Sequence, residues 1–328
     1  MNPAWKEYLS DLNAILTLDH RVIFNGQQIS NQANWITPVS QLAVLRVSGE
    51  DANTFLQGQS TCNLNELNDQ NSSFGAFCNV KGRVISTFLI LKAQQDWLLL
   101  LPTELLPSIQ KRLQLYILRA KVKLTDCSDT YCILGLNAVL PHELSLALPE
   151  KHLATLMQPS IIVRLGEHAP RYLLIAERDK AQQHWSGLIQ QGFIPQSSTE
   201  WDLLDIQAGI PWLRANTSEE YIPQMLNLDQ LGGISFNKGC YTGQEIVART
   251  HYLGKAKRAM FTATANLNTA PPLNGAIIDT ANGQGVGTVV ATHLKGNCCT
   301  LQMVLATEAE DFNALILQDQ PDVHLKRT

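Results

Sequence analysis

The chain has 328 residues, of which 45% are apolar and only 16% charged, with a net charge of −4. That length exceeds one ordinary core and predicts two or three domains that need no disulfides. The mild acidity excludes a broad nucleic-acid grip, which depends on many phosphate-neutralising cations.

The opening MNPAWKEYLSDLNAIL lacks the basic segment, apolar core and small-residue cleavage site of a secretory signal. In chain order, LAVLRVSG (42–49) reads as a strand and EDANTFLQGQ (50–59) as a helix opened by acids. Residues 74–102 read as a meander of strands with turns at VKGR and AQQD. Its end, WLLLLPTELL, is the longest apolar run and is too short to span a bilayer, so a cytoplasmic protein is expected. Leu105, Ile109, Leu113 and Ile117 then recur at helical spacing. VKLTDCSDTYCILGL returns to strand, and SIIVRLG, RYLLIAE and the helical DKAQQHWSGLIQQG form a second round. STEWDLLDIQAGIPWL (198–213) is a further helix. Beyond a glycine-rich loop, RAMFTATANL, GAIIDT, GVGTVVATHL and CCTLQMVLA are short strands of an antiparallel barrel or sandwich.

Seven cysteines at irregular spacing make no disulfide framework, and no CxxC pair offers a zinc or cluster site, so no metal is expected. The Cys298–Cys299 doublet reads as structural. P-loop, GxSxG and HExxH motifs are absent, and GQGVGT lies among strands instead of opening a helix. Two runs carry cations without acids: Lys111, Arg112, Arg119, Lys121 and Lys123 in one, Arg249, Lys255, Lys257 and Arg258 in the other. Each is a solvated face or a local anion site, for a polyanionic cofactor tail or an RNA edge.

The stretch NKGCYTGQE (237–245) places Cys240 between Gly239 and Gly243, away from any apolar run. A packing cysteine normally sits among hydrophobes. Cys240 is therefore a reactive or ligating thiol, or a loop cysteine held by packing. A lysine ammonium about 5 Å away would favour the thiolate by about 0.8 kcal/mol in water, and about 3.3 at an effective dielectric of about 20. Lys238 and Arg249 are the candidates to activate it. His251, eleven residues after Cys240, makes no case for a Cys–His hydrolase on spacing alone.

Read in order, FLQGQSTCN, NVKGRVISTFL, WDLLDIQAGIP and YIPQMLNLDQLGGISFNKGCYTGQEIVAR resemble the YgfZ family of folate-binding proteins associated with tRNA modification. That family shares its fold with the glycine-cleavage aminomethyltransferase. The resemblance implies an α+β, three-domain folate-binding fold around a central opening. It divides the chain into 1–250, two interleaved α+β subdomains, and 251–328, a C-terminal antiparallel β-barrel. It also implies tetrahydrofolate or a one-carbon derivative as cofactor. The implied role is maintenance of iron–sulfur enzymes, including those that methylthiolate tRNA, with one-carbon chemistry at Cys240. Implied partners are iron–sulfur enzymes or their assembly proteins, with direct tRNA contact as a further possibility and no membrane. By the same resemblance Trp201 is a folate-contacting tryptophan; on its own spacing it is equally a helix's core anchor. A second family tryptophan aligns with Leu42, which removes one aromatic plate. Gln207 stands where the aminomethyltransferases have a pterin-contacting glutamate, keeping hydrogen bonds but not a charge-assisted one. Ser86 and Thr87 stand where those enzymes carry acids, which disfavours aminomethyl transfer. An aminomethyl- or methyltransferase and a non-catalytic folate-sensing scaffold are the alternatives.

Overall fold

The first element is a helix with a complete start signal. Asn2 precedes α1 (Pro3–Asp11), and its side-chain oxygen accepts from the N–H groups of Ala4 and Trp5 at 3.0 and 3.1 Å. Proline at the first helical position loses no intrahelical bond. The computed structural model describes residues 1–25, 34–138, 144, 146–167, 169–254, 256–309 and 311–328. Lys255, a cation of the second acid-free run, lies outside them.

The chain forms two compact units. One comprises Met1–Leu56, Leu64–Ser73 and Phe88–Trp201; the other comprises Gln57–Asn63, Phe74–Thr87 and Asp202–Thr328. A hairpin of β1 (Ala14–Leu16) and β2 (Val22–Phe24) follows α1. Next come β3 (Trp35–Pro38), β4 (Leu42–Ser48), α2 (Ala52–Gln57), β5 (Ser72–Cys78), β6 (Val84–Ala93) and β7 (Asp96–Pro102). Helix α3 (Leu106–Ile117) precedes β8 (Lys123–Asp126) and β9 (Tyr131–Asn137). Strands β10 (Thr155–Leu156), β11 (Ile161–Leu165) and β12 (Arg171–Glu177) lead to α4 (Arg178–Gln190), β13 (Ile194–Pro195) and α5 (Ser198–Gln207).

These strands make two larger sheets, ordered β5-β6-β7-β4-β8 and β10-β11-β12-β9-β3-β13. The helical spacing read in the sequence holds in α3, whose Ile109, Leu113 and Ile117 are buried. In the first unit, Trp5 and Leu9 of α1 pack with Trp185 and Leu188 of α4 over Leu134, Leu136 and Leu174 of the sheet. The rings of Trp5 and Trp185 meet edge to face at 6.2 Å.

In the second unit, α6 (Gln244–Tyr252) precedes β14 (Arg258–Asn266), β15 (Ala276–Asp279), β16 (Gln284–Lys295) and β17 (Cys298–Ala306). Strands β18 (Leu315–Leu317), β19 (Gln320–His324) and β20 (Lys326–Arg327) complete it. The seven strands run β19-β18-β15-β16-β17-β14-β20, with every pairing antiparallel. The two edge strands are separated by one residue, Leu325. A single residue cannot cross a flat sheet of seven strands, which would span roughly 28 Å at about 4.7 Å per step. The sheet therefore curls until its edges approach. Leu325 is wholly buried inside the curl with Leu301, Met303 and Phe312. The α+β class and the antiparallel C-terminal barrel read from the sequence are thus present.

Candidate functional site

Three segments distant in sequence meet in the second unit, each from a different motif. The loop at 57–63 carries GQSTCN, the turn at 79–83 carries NVKGR, and 233–246 carries GISFNKGCYTGQEI. Thr61 joins the first to the third: its hydroxyl donates to the Gly233 carbonyl at 2.6 Å, and Ser235 N–H donates to the Thr61 carbonyl at 2.9 Å. The same hydroxyl accepts from Ala76 N–H on β5 at 2.9 Å.

Two glycines join the second segment to the third. Gly243 has φ +84° just before α6, and a Cβ there would lie 2.5 Å from the Asn79 carbonyl oxygen and 2.9 Å from Gly82 Cα. Gly82 has φ +69°, and a Cβ there would lie 2.8 Å from Ile246 Cβ. Both positions need glycine for conformation and for space. Gly239 does not. It has no left-handed φ, and a Cβ on it would meet no atom within 4 Å. Of the two glycines flanking Cys240, only Gly243 sets the backbone.

Around Cys240 the loop alternates in direction. Lys238 turns inward, Cys240 is an exposed free thiol, and Tyr241 is buried. The Lys238 ammonium donates to the Ser60 and Cys62 carbonyls at 2.8 and 2.7 Å, and lies 5.2 Å from the Tyr241 ring centre. Burial lowers its pKa to about 8, partly opposed by Cys62 nearby. Burial likewise pushes the Cys62 thiol up to about 11, and Lys238 pulls against that rise. The lysine expected to activate Cys240 is therefore engaged with the 57–63 loop, and the thiol it couples to is Cys62. Its hydrogen bonds tie the stretch that carries Cys240 to the 57–63 loop.

The other sequence candidates are placed as follows. Leu42 and Trp201 belong to the first unit, Gln207 to the second. Leu42 is buried at the start of β4, paired with Pro102. Trp201 is 0% exposed. Its ring lies against Gly135 in β9, where an added Cβ would come within 2.3 Å of the indole, and the Arg171 guanidinium sits 4.7 Å from the ring centre. Trp35 meets it edge-on at 6.4 Å. The indole therefore presents no exposed face in this structure. Gln207 is exposed on the last turn of α5.

Ser86 and Thr87 are buried on β6. Ser86 donates to the Thr87 carbonyl, and Thr87 donates to the Pro211 carbonyl. Two hydroxyl donors facing carbonyls suit neutral side chains, since an ionised acid can only accept. A cleft of about 530 Å³ opens beside the NVKGR turn, lined by Arg83, Glu220, Tyr221 and Arg258 among others. That volume lies within the roughly 300–1,000 Å³ of small-molecule sites. The Tyr221 hydroxyl is held there by Asn274 and Thr288 at 3.1 and 2.7 Å. Neither this cleft nor the Lys238–Cys62 pairing is readable from spacing, although the motif blocks that supply them are. Among the described residues no three His, Cys, Asp or Glu side chains gather as a metal site, and no helix is long and apolar enough to cross a membrane.

The architecture is that of an aminomethyltransferase-like fold. It superposes on the crystal structure of the glycine cleavage system aminomethyltransferase T from Bartonella henselae with a TM-score of 0.71, at 12% identity, covering 90% of this chain and 85% of that one. Sequence narrows the class. The chain is 34% identical over 301 residues to the tRNA-modifying protein YgfZ of Colwellia psychrerythraea, covering 88% of this chain and 90% of the relative. It is 31% identical over 290 residues to the YgfZ protein of Photobacterium profundum, covering 85% of each. The chain belongs to the YgfZ family. No family model matches it.

Proposed function

We propose that this protein is a folate-binding accessory factor in tRNA modification that supports the iron–sulfur enzymes responsible for methylthiolation, acting through the thiol of Cys240. The observation that carries the reading is the loop from Lys238 to Gly243. It is pinned to two other motif segments by an inward lysine and an interlocked glycine pair, and it leaves Cys240 exposed. Such investment in one loop shape serves the residue at its tip. An exposed thiol can attack an electrophilic one-carbon unit as thiolate, or ligate the soft metal centre of a client. Folate as the small-molecule partner is supported by family membership and by the aminomethyltransferase-like fold. It does not rest on Trp201, whose ring is enclosed.

Aminomethyl transfer is the weaker alternative. The Thr87 hydroxyl donates to a buried carbonyl at a position where the related enzymes carry an acid. Calorimetric titration of the whole protein with tetrahydrofolate tests the reading, with saturable one-to-one binding expected. A flat titration at protein concentrations sufficient to detect weak binding would remove folate from the account.

A further inference from the structure

The C-terminal end of α6 exposes an aromatic cluster that the loop described above does not use. Phe236 and His251 stack at 3.6 Å with an interplanar angle of 11°. Tyr252 meets both edge-on, at 6.2 and 4.7 Å, and its hydroxyl reaches the Phe236 carbonyl at 3.5 Å. The ring is thus held along its edges, yet Tyr252 remains 62% exposed and the adjoining Leu253 83%. Exposed apolar side chains are common singly, but here two adjoin an ordered stack of rings, which makes a continuous apolar surface for a partner.

Charge identifies the partner. From Arg249 to Arg258 the sequence has no acid, and the described cations Arg249, Lys257 and Arg258 are exposed with no ion pair among the described residues. Arg249 lies three residues before Tyr252 on the helix, so the two share a face. The acid on that face, Glu245, lies four residues before Arg249 without forming an ion pair with it, and nearly two turns from Tyr252. An ordered flat ring with Arg249 on its helix face, followed by an acid-free run to Lys257 and Arg258, has the chemistry of a stacking platform for unpaired bases with a track for phosphates. A second apolar and basic patch, on α3, differs in the point that matters. There Tyr116 is 39% exposed, and the Arg112 guanidinium already sits over its ring at 5.7 Å.

We propose that the end of α6 docks single-stranded RNA, with an unpaired base on Tyr252 and phosphates at Arg249, Lys257 and Arg258. This rests on the tRNA-modification reading and names the surface through which the RNA is held. Phe236 lies in the 233–246 segment that carries Cys240, so the RNA surface and the thiol share one stretch of chain.

The test is fluorescence anisotropy of a labelled, unmodified tRNA transcript with the full-length protein, alongside tetrahydrofolate calorimetry on the same preparations. Tyr252→Ala should weaken RNA binding about tenfold, while Tyr252→Phe, which keeps the ring, should stay within about twofold. Tyr116→Ala should bind as wild type does. The logarithm of affinity should fall with that of salt at a slope near about −2, and Arg249→Ala should flatten it by about 0.7. An unlabelled single-stranded competitor should displace the transcript more readily than a duplex of equal charge. Wild-type protein that binds tetrahydrofolate but no RNA, or Tyr252→Ala that binds RNA unchanged, overturns this surface and leaves the folate reading standing. Loss of tetrahydrofolate binding with RNA binding intact does the reverse.

Discussion

Replacing Lys238 with methionine keeps most of the side chain's length and removes its two hydrogen bonds to the 57–63 loop. Ser60 and Cys62 are 0% and 1% exposed, so water cannot readily take the lysine's place. A buried acceptor stripped of its donor costs about 1–3 kcal/mol. Cys62 belongs at the low end, because its carbonyl keeps a long 3.4 Å bond from the Ser60 hydroxyl. The cation over Tyr241 adds about 0.5–1 kcal/mol, giving a gross loss of about 4 kcal/mol. One term opposes this. Lowering a lysine from 10.5 to about 8 corresponds to roughly 3 kcal/mol of desolvation at about 1.36 kcal/mol per pH unit. The ammonium is only partly buried, so solvent screening reduces the relief on removing it to about 1–2 kcal/mol. The net expectation at pH 7 is a loss of about 2 kcal/mol. Urea unfolding followed by tryptophan fluorescence measures it directly. A difference below about 0.5 kcal/mol, the scatter of ordinary surface substitutions, would mean that Lys238 does not pin the loop.

The same lysine predicts a pH dependence. Its folded pKa is about 8, below the ordinary 10.5, so between these values the unfolded chain binds more protons than the folded one. Stability contributed by Lys238 therefore rises with pH across that window and is lost as pH falls back through it. The gap between wild type and Lys238→Met should widen from pH 8 to pH 10 in urea titrations; a constant gap would show that the lysine titrates normally. Gly243→Ala should cost about 1–3 kcal/mol, from positive φ and contact with the Asn79 carbonyl, whereas Gly239→Ala should fall within about 0.5 kcal/mol. Equal effects at the two glycines would contradict the loop geometry. Trp201→Ala should cost about 3–5 kcal/mol of stability as a buried large-to-small change. If it left the urea midpoint unchanged and weakened only folate binding, the indole would have to face ligand and not core.

The regular elements were legible because their signals are local. The helical spacing in α3 and the nearly continuous apolar runs of β4, β6 and β7 are visible within each segment alone, and the structure keeps them. Helix α1 also had its signal, since Asn2 is followed by proline and Trp5, Tyr8, Leu9 and Leu12 recur at helical spacing, but the opening was read only for a targeting segment. Strands β19 and β20 escaped because QPDVHLKR is mostly polar and exposed, and only the burial of Leu325 betrays the closing edge. At the site, the sequence marked the loop that holds Cys240 but not the partners of its lysine. Nothing in NKGCYTGQE says that Lys238 turns toward carbonyls 176 and 178 residues earlier. Trp201 shows the same limit. Its environment is decided by the missing side chain of Gly135 in a distant strand, which leaves the room that the indole fills. Side-chain direction is a property of tertiary partners, and a motif names the residues without naming those partners.

The central claim is that the pinned loop exists to present the Cys240 thiol. Cys240→Ser tests it most directly, since a hydroxyl for a thiol at an exposed position leaves almost no cavity and disturbs none of the contacts of Lys238, Tyr241 or Gly243. The measurement is the level of methylthiolated tRNA in a strain that lacks the gene and expresses either wild type or Cys240→Ser at matched abundance. The account predicts restoration by wild type and none by the variant, with the purified variant unfolding at the wild-type urea concentration. Full restoration by Cys240→Ser would contradict it, and the loop would then hold its shape for something other than its sulfur.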